Sequence, residues 1–237
     1  MASSPTGRGY HYPMPNAKTK AWISLAVSLS VMAAAIFLCA GTTDYWQAWV
    51  YLAVAALSSI PLTLLITESP RLLEARRKAG PGAEKRPVQR LIVTLIGFSA
   101  IAALVVPGLD HRFHWSNVPP WFAIVGDLLV VLAMWMVRRV FKENSFASAT
   151  VEIAEDQKLI STGPYAVVRH PMYSSAMVYT IAMELSLGSY WGLIASSLIV
   201  LGLIWRLFDE EELLVSNLPG YGKYCAKVRW RLVPGIF

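Results

Sequence analysis

The sequence predicts an all-α, polytopic integral membrane protein of about six transmembrane helices, and three observations lead to that prediction. Of the 237 residues, 55% are hydrophobic and only 15% are charged, whereas soluble domains carry about 25% charged residues. The mean hydropathy is +0.47. Several stretches approach or exceed the ~20 apolar residues that a helix needs to cross the hydrocarbon core. Together these observations exclude a soluble domain.

The apolar segments follow one another along the whole chain. They cover residues 21–40, 45–67, 91–107, 121–137, 173–187 and 190–207. The fourth contains one acid, Asp127, and the fifth contains Glu184 and is marginal in length for a full crossing. Because Gly188 and Ser189 separate the last two segments, these two are predicted to form a helical hairpin. Residues 1–20 are predicted to be a flexible N-terminal tail, and residues 21–237 a single membrane domain.

Lysine and arginine alternate between the connecting segments in a way that predicts an orientation. Both terminal tails, the segment between the second and third spans and the stretch after the fourth span are rich in them. The remaining connections carry Arg112 alone. The positive-inside rule therefore predicts cytoplasmic N- and C-termini, in the inner membrane if the cell is bacterial. The net charge of +6 follows from this bias and from attraction to anionic membrane lipids, and it requires no nucleic acid.

Two groups of residues are of the types that bind metals, but for both groups a simpler interpretation is favoured over a metal site. Asp110, His111 and His114 fall in the predicted outer loop, where anchoring at the membrane interface is favoured over a metal site. Cys39 and Cys225 lie in no metal-ligand or redox spacing. No metal site is predicted.

Polar residues that could support chemistry concentrate after residue 138. Pro171 suits the first turn of a helix, so Arg169 and His170 are predicted to lie at the entrance of the fifth span. The sixth span ends in four acids at positions 209–212. An Arg-His pair facing an acidic cluster suits a zwitterionic ligand. Two plainer alternatives remain: His170 as an interfacial residue, and Arg206 with Glu210 as a surface ion pair at i,i+4 spacing.

The four acids stand where a helix C-terminus disfavours negative charge. We therefore expect these acids to interact with a cationic or hydroxyl-rich partner. Successive helix positions differ in direction by about 100°, so at most two of the four can face one pocket.

The arrangement of motifs resembles a known superfamily. Its parts are Gly163-Pro164-Tyr165, Arg169-His170-Pro171-x-Tyr173, a Glu-Glu pair, Gly220-Tyr221-x-x-Tyr224 and Arg231-Leu232-x-Pro234-Gly235. This combination resembles the isoprenylcysteine carboxyl methyltransferase and phospholipid methyltransferase superfamily, its bacterial-type members most. The resemblance covers residues from about 144 to 237, the motif-bearing part of the predicted membrane methyltransferase domain.

The resemblance implies a cytoplasm-facing site for S-adenosylmethionine. The implied cofactor-binding residues are Tyr165, His170, Pro171, Tyr173, Glu210 and Glu211. The implied catalytic residues are Arg169, Arg231 and Glu211, the arginines serving the cofactor carboxylate or the substrate head. Asp209 and Glu212 would then be solvated. Ser175 replaces a glycine that is frequent in the family, which implies a narrower helix crossing or substrate tunnel.

The predicted function is therefore methyl transfer from S-adenosylmethionine to a lipophilic acceptor at the membrane. The acceptor is an isoprenylcysteine-like carboxylate or a small lipophilic thiol or amine. A thiol or amine would need a general base, for which His170 and Glu211 are the candidates. The predicted partners are a lipophilic or lipid-modified substrate and membrane lipids. Two alternatives stay open: an NADPH-dependent reductase of the sterol type, and a non-catalytic membrane scaffold.

Overall fold

The computed structural model describes residues 15–76, 79–152 and 157–237, and all regular structure in these ranges is helical. Its α-helices are α1 (Pro15–Ala40), α2 (Trp46–Glu68), α3 (Pro70–Ala75), α4 (Pro87–Phe113), α5 (Pro120–Glu143), α6 (Pro171–Ser186), α7 (Gly192–Asn217) and α8 (Tyr221–Lys227). Two short 3-10 helices cover Pro81–Ala83 and Gly163–Ala166. The prediction of an all-α chain is confirmed. The predicted tail, residues 1–20, overlaps α1; residues 1–14 lie outside the described residues.

Five helices, α1, α2, α4, α5 and α7, are long and apolar enough to cross a membrane. Helix α6 has 16 residues, or about 24 Å at 1.5 Å per residue, which is short of the ~30 Å hydrocarbon core. It pairs with α7 as the predicted hairpin, and Gly188 makes the turn with a φ of +68°. The protein is therefore a multi-pass integral membrane protein.

The third predicted span was too short, because α4 continues through Pro107 to Phe113. Asp110 and His111 consequently lie in the last turns of α4 and not in a loop. The Asp110 carboxylate accepts hydrogen bonds from the Ser116 backbone N–H at 2.7 Å and from the Ser189 hydroxyl at 2.5 Å. The His111 ring stacks on Tyr45 at 3.9 Å between centroids. These residues hold the α4–α5 and α6–α7 connections together at one end of the bundle.

Small residues bring α5 and α6 into close contact. A Cβ atom on Gly126 of α5 would lie 2.4 Å from the Ser186 backbone nitrogen of α6, so no larger residue fits there. The core beside this crossing is filled by Val130, Ala182 and Met183, all buried. The crossing fixes the position of α6, whose first residues belong to the polar region described below.

The opposite end of the bundle, where α2 ends and α4 begins, gathers the charged segments and is here called the basic end. Residues 79–90 are fastened to α7 by ion pairs from Glu84 to Arg206 at 2.7 Å and from Arg86 to Asp209 at 2.7 Å. The C-terminal residues 228–237 dock on the start of α6. Segments from both halves of the chain thus meet at this end.

The charge pattern gives an expected result for the orientation of the basic end. In a variant with Cys39 and Cys225 replaced by alanine, a single cysteine at Lys223 should resist a membrane-impermeant thiol reagent applied to intact cells. A cysteine at Asn117, in the connection with few cations, should react, since the positive-inside rule places it outside. Both positions are exposed in the structure. The opposite labelling pattern would reverse the predicted orientation.

Candidate functional site

A cavity of about 330 Å³ lies at the basic end of the bundle. Its walls are the first turns of α6, the inner face of α7, the start of α8 and the two described stretches of the α5–α6 connection. A ligand pocket of small-molecule size has a volume of about 300–1,000 Å³. The cavity is therefore large enough to be the functional site of the chain.

Helix α7 and its C-cap residue line the cavity along one stripe at spacings of three and four residues. The stripe consists of Leu203, Arg206, Glu210 and Leu214 on the helix and of the C-cap residue Leu218, with Leu213 beside Leu214. At 1.5 Å per residue it extends over about 22 Å. Leucines occupy both of its ends and the charged residues its middle. The cavity therefore has an apolar end inside the span, a polar middle and a second apolar end near α8.

The Arg-His-Pro-x-Tyr element is held by the C-terminal segment. The backbone N–H groups of Arg169 and His170 donate to the carbonyls of Trp230 and Arg231, both at 2.9 Å. Helix α6 then begins at Pro171 with His170 as its N-cap residue, so the predicted position at a helix entrance is confirmed. The His170 and Tyr173 rings stack with their centroids 5.7 Å apart. Both rings line the cavity.

Glu211 is the centre of a buried ion cluster. Its Oε1 lies 2.7 Å from Arg169 Nε and 3.1 Å from His170 Nε2, and its Oε2 lies 2.8 Å from Arg231 Nε. Arg169 also donates to the carbonyl of Val228 at 3.2 Å. One carboxylate therefore joins the start of α6, helix α7 and the C-terminal segment.

Glu210 points into the cavity, unlike Glu211. It accepts a hydrogen bond from the Tyr173 hydroxyl, and that hydroxyl accepts one from Arg206 Nε at 3.1 Å. The alternative of a direct surface ion pair between Arg206 and Glu210 does not hold, because the guanidinium pairs with Glu84 and reaches Glu210 through the tyrosine. The glutamate is oriented by the protein while its carboxylate still faces the cavity.

Arg206 connects this polar middle to the segment between α3 and α4. Besides Glu84 and Tyr173 it donates to Gln89 Oε1 and to the Ala149 carbonyl, each at 2.9 Å. Glu84 in turn accepts from the Val151 N–H at 3.1 Å. Arg206 is 7% exposed and Glu84 only 2%. The cavity wall at residues 147–152 is thus held by Glu84 and Arg206, which sequence reasoning did not place in the site.

Three tyrosines form the end of the cavity near α8. The Tyr165 hydroxyl accepts from Asn144 Nδ2 at 2.9 Å, and the Tyr224 hydroxyl donates to the Tyr165 carbonyl at 2.7 Å. Burial raises the pKa of Tyr165 to about 12, so this phenol is neutral at physiological pH. Tyr221 completes the group with its hydroxyl buried.

The structure brings most of the sequence-predicted site residues to one cavity. Those that line it are Tyr165, Arg169, His170, Pro171, Tyr173 and Glu210. Among the described residues, Glu211 and Arg231 are not part of the lining and face one another instead. The prediction that Asp209 is solvated is wrong: it is 9% exposed and accepts from Gln89 Nε2 at 2.5 Å. The Glu212 side chain is 76% exposed, as predicted.

Ser175 lies away from this cavity. It is fully buried, and its hydroxyl donates to the Pro171 carbonyl one turn earlier at 2.7 Å. It lines a second cavity of about 360 Å³ between α5, α6 and the C-terminal segment, with Trp135 and Arg139 on the opposite wall. The extra hydroxymethyl group therefore narrows this second space and leaves the first unchanged.

Comparison with known proteins gives a consistent result. Residues 121–221 match the family described as phospholipid methyltransferase. Two relatives from Oryza sativa, of the subspecies indica and japonica, are each described as a probable protein-S-isoprenylcysteine O-methyltransferase. Each is 26% identical over 132 residues, which cover 53% of this chain and 65% of the relative. Protein-S-isoprenylcysteine O-methyltransferase B of Arabidopsis thaliana is 28% identical over 105 residues, 44% of this chain and 49% of the relative.

These matches span less than two thirds of each relative's length. The family match runs from the start of α5 to the start of α8 and includes most of the residues that line the cavity. The resemblance to the superfamily, inferred from the motifs between residues 163 and 235, is confirmed.

Proposed function

We propose that this chain is an S-adenosylmethionine-dependent methyltransferase that acts on a lipophilic acceptor in the membrane. The observation that carries the proposal is a cavity that joins the Arg-His-Pro-x-Tyr element to Glu210 inside an apolar bundle. The relatives named for isoprenylcysteine O-methylation support it. They make a prenylcysteine-like carboxylate the first acceptor to test, ahead of a lipophilic thiol or amine.

The residues of the cavity fit such a methyl donor. The donor is cationic at its sulfonium and ammonium groups and carries hydroxyls, and Glu210 offers a carboxylate already oriented by Tyr173. His170 and Tyr173 present stacked rings to the same space. Arg169 is one of the cations that line the cavity, beside Arg76, Lys158 and Arg206, and in this proposal it serves a carboxylate group of donor or acceptor. In this proposal Glu211 and Arg231 position Arg169 and His170, since both lie within the ion cluster.

The chemistry requires alignment more than acid–base catalysis. The bound donor supplies a methyl carbon on a sulfonium: an acceptor carboxylate oxygen bonds to that carbon as the carbon–sulfur bond breaks, and the electron pair stays on sulfur. A carboxylate acceptor needs no base. The protein contributes by holding the two partners in line and excluding water, which together can lower a barrier by several kcal/mol, up to ~7–11 for ideal alignment. The wall at Arg206, which is buried, serves this purpose.

The apolar end of the cavity suits an acceptor that arrives through the membrane. Leu203 and Ala176 line that end on α7 and α6, at a level where both helices lie within the bundle. A lipid-modified acceptor can reach this end laterally without crossing the aqueous phase. With the basic end at the cytoplasmic face, as the charge pattern predicts, the donor would enter from the cytoplasm.

Ligand titration and a transfer assay test the proposal together. Purified protein in detergent should bind S-adenosylmethionine and S-adenosylhomocysteine and should not bind NADPH. It should transfer a labelled methyl group to a farnesylcysteine carboxylate, with a long-chain thiol and a long-chain amine as competing acceptors. Binding of NADPH alone would favour a sterol-type reductase, and binding of none of these ligands would favour a non-catalytic scaffold.

The four acids of α7 give a sharp prediction for donor binding. Glu210→Gln should weaken the affinity for S-adenosylhomocysteine by about 1–3 kcal/mol, since it removes the charge that faces the cavity. Glu212→Gln, at a neighbouring exposed position, is the matched control and should change neither affinity nor stability. Asp209→Asn should lower stability and leave affinity unchanged, because Asp209 pairs with Arg86 and Gln89. Equal affinities for the Glu210 and Glu212 variants would exclude Glu210 from the site.

A further inference from the structure

The Tyr221 hydroxyl is a buried polar group without a hydrogen-bond partner among the described residues. Tyr221 lines the cavity and is 3% exposed, and among the described residues its hydroxyl makes no hydrogen bond. A buried hydroxyl without a partner is costly, and most such groups in folded proteins are satisfied. In contrast, Tyr224, one turn later on α8, is satisfied by the Tyr165 carbonyl at 2.7 Å. An acceptor atom of a bound ligand would satisfy the Tyr221 hydroxyl.

The surroundings of this hydroxyl define the chemical class of that ligand group. Leu159, Leu218 and the side chains of Tyr165 and Tyr224 belong to one hydrophobic cluster with the Tyr221 side chain, so the space beside the Tyr221 ring suits a flat, largely apolar group. Burial raises the pKa of Tyr221 above its ordinary value, which keeps the phenol protonated and able to donate. An aromatic heterocycle with ring nitrogens meets both conditions, because it packs against aromatic rings and accepts a hydrogen bond.

The position of Tyr221 along the cavity agrees with this class. It lies beyond Leu218 at the α8 end, whereas Leu203 marks the opposite end inside the span. Arg206, Tyr173 and Glu210 lie between the two ends. An acceptor from the membrane meets the Leu203 end, so a methyl group about to be transferred must point that way. The rest of the donor then extends past Glu210 toward α8.

We propose that the Tyr221 hydroxyl donates a hydrogen bond to the nucleobase of the methyl donor. The donor is thereby oriented with its base at the α8 end and its methyl group toward Leu203. This inference rests on the proposed function and adds to it a base-binding residue and a direction. It also assigns a role to the Gly220-Tyr221-x-x-Tyr224 motif.

A Tyr221→Phe variant, which removes the hydroxyl alone, tests the contact. Its affinity for S-adenosylhomocysteine should fall about tenfold, the effect of losing one hydrogen bond to a ligand. The melting temperature of the ligand-free protein should stay the same or rise, because an unsatisfied buried group is removed. Tyr51→Phe is the matched control: Tyr51 is fully buried outside the cavity, and its hydroxyl pairs with Tyr179 at 3.0 Å. That variant should melt earlier and bind S-adenosylhomocysteine as the unmodified chain does.

Two fragments of the donor then test the direction. Adenosine, which carries the base, should bind more weakly to Tyr221→Phe than to the unmodified chain. S-methylmethionine, which carries the sulfonium without a base, should compete equally well in both. The reverse result would overturn the orientation, and an unchanged affinity of Tyr221→Phe for S-adenosylhomocysteine would overturn the contact itself. If the unmodified chain fails to bind S-adenosylhomocysteine, the proposed function is wrong and this inference falls with it.

Discussion

Replacing Arg206 with alanine should lower the free energy of unfolding by about 3–5 kcal/mol, the range expected when one member of a buried ion pair is removed. Arg206 holds the Glu84 carboxylate at 2.7 Å, and without it this residue, which is 2% exposed, loses the cation with which it pairs in the described part of the chain. The Tyr173 hydroxyl and the Ala149 carbonyl lose a donor at the same time. Equilibrium unfolding in detergent micelles measures the effect.

Two further variants separate this explanation from a general sensitivity of the basic end. Lys85→Ala, next to Glu84 in sequence, removes an exposed ion pair with Glu152 and should change stability by less than about 1 kcal/mol. The double variant Glu84→Gln, Arg206→Met should recover part of the loss, because it leaves no charge unpaired. A small effect of Arg206→Ala, or a double variant less stable than the single one, would contradict the role assigned to this pair.

The hydropathy of the sequence predicted the helices well, because the membrane imposes a minimum length and a low charge on every span. The residues at which the helices end were less predictable. Helix α4 runs to Phe113 although Asp110, His111 and Arg112 are polar, since its last turns are held by side-chain contacts from other segments. The carboxylate of Asp110 binds Ser189, which is 79 residues away in sequence. Hydropathy contains no information on such partners.

The motif residues were predictable for a different reason. The order Arg169, His170, Pro171 identifies a helix start from local chemistry alone, and α6 begins there. Glu84 and Gln89 lie outside that motif, and Gln89 meets Arg206 across 117 residues of sequence. The available signal for Glu84 was that it is the single acid among residues 76–90, which are otherwise rich in arginine and lysine. Its partner could not be inferred, because helix periodicity shows which face a residue occupies and not what packs against it.

The acids at positions 209–212 show the limit of a local prediction. The prediction from the helix dipole assumed that α7 ends at these acids, and this is wrong: α7 continues to Asn217, so the acids lie before its last turn, where the dipole has little effect. Cationic partners are nevertheless present, Arg86 for Asp209 and Arg169 for Glu211. Glu210 alone of the four lines the cavity. The structure thus distinguishes the acids that stabilise the fold from the one available to a ligand.

Replacing Glu211 with alanine should lower the free energy of unfolding by about 3–5 kcal/mol, because Arg169, His170 and Arg231 would then face one another without an anion. The matched control is Glu212→Ala, the next residue on α7, whose side chain is 76% exposed. It should stay within about 0.5 kcal/mol of the unmodified chain. Both are measured by equilibrium unfolding in detergent.

Donor binding by two other variants, Glu211→Gln and Glu210→Gln, separates a positioning role for Glu211 from direct contact with the donor. Glu211 joins the α6 entrance to the C-terminal segment, so its loss should free the Arg169 and His170 side chains that line the cavity. In Glu211→Gln an amide oxygen can still accept one hydrogen bond from the cluster while the charge is lost. If Glu211 acts by positioning, Glu211→Gln should be less stable than the unmodified chain, and where it remains folded its donor affinity should fall less than that of Glu210→Gln. A Glu211→Gln variant of full stability with the larger loss of affinity would instead place Glu211 in contact with the donor.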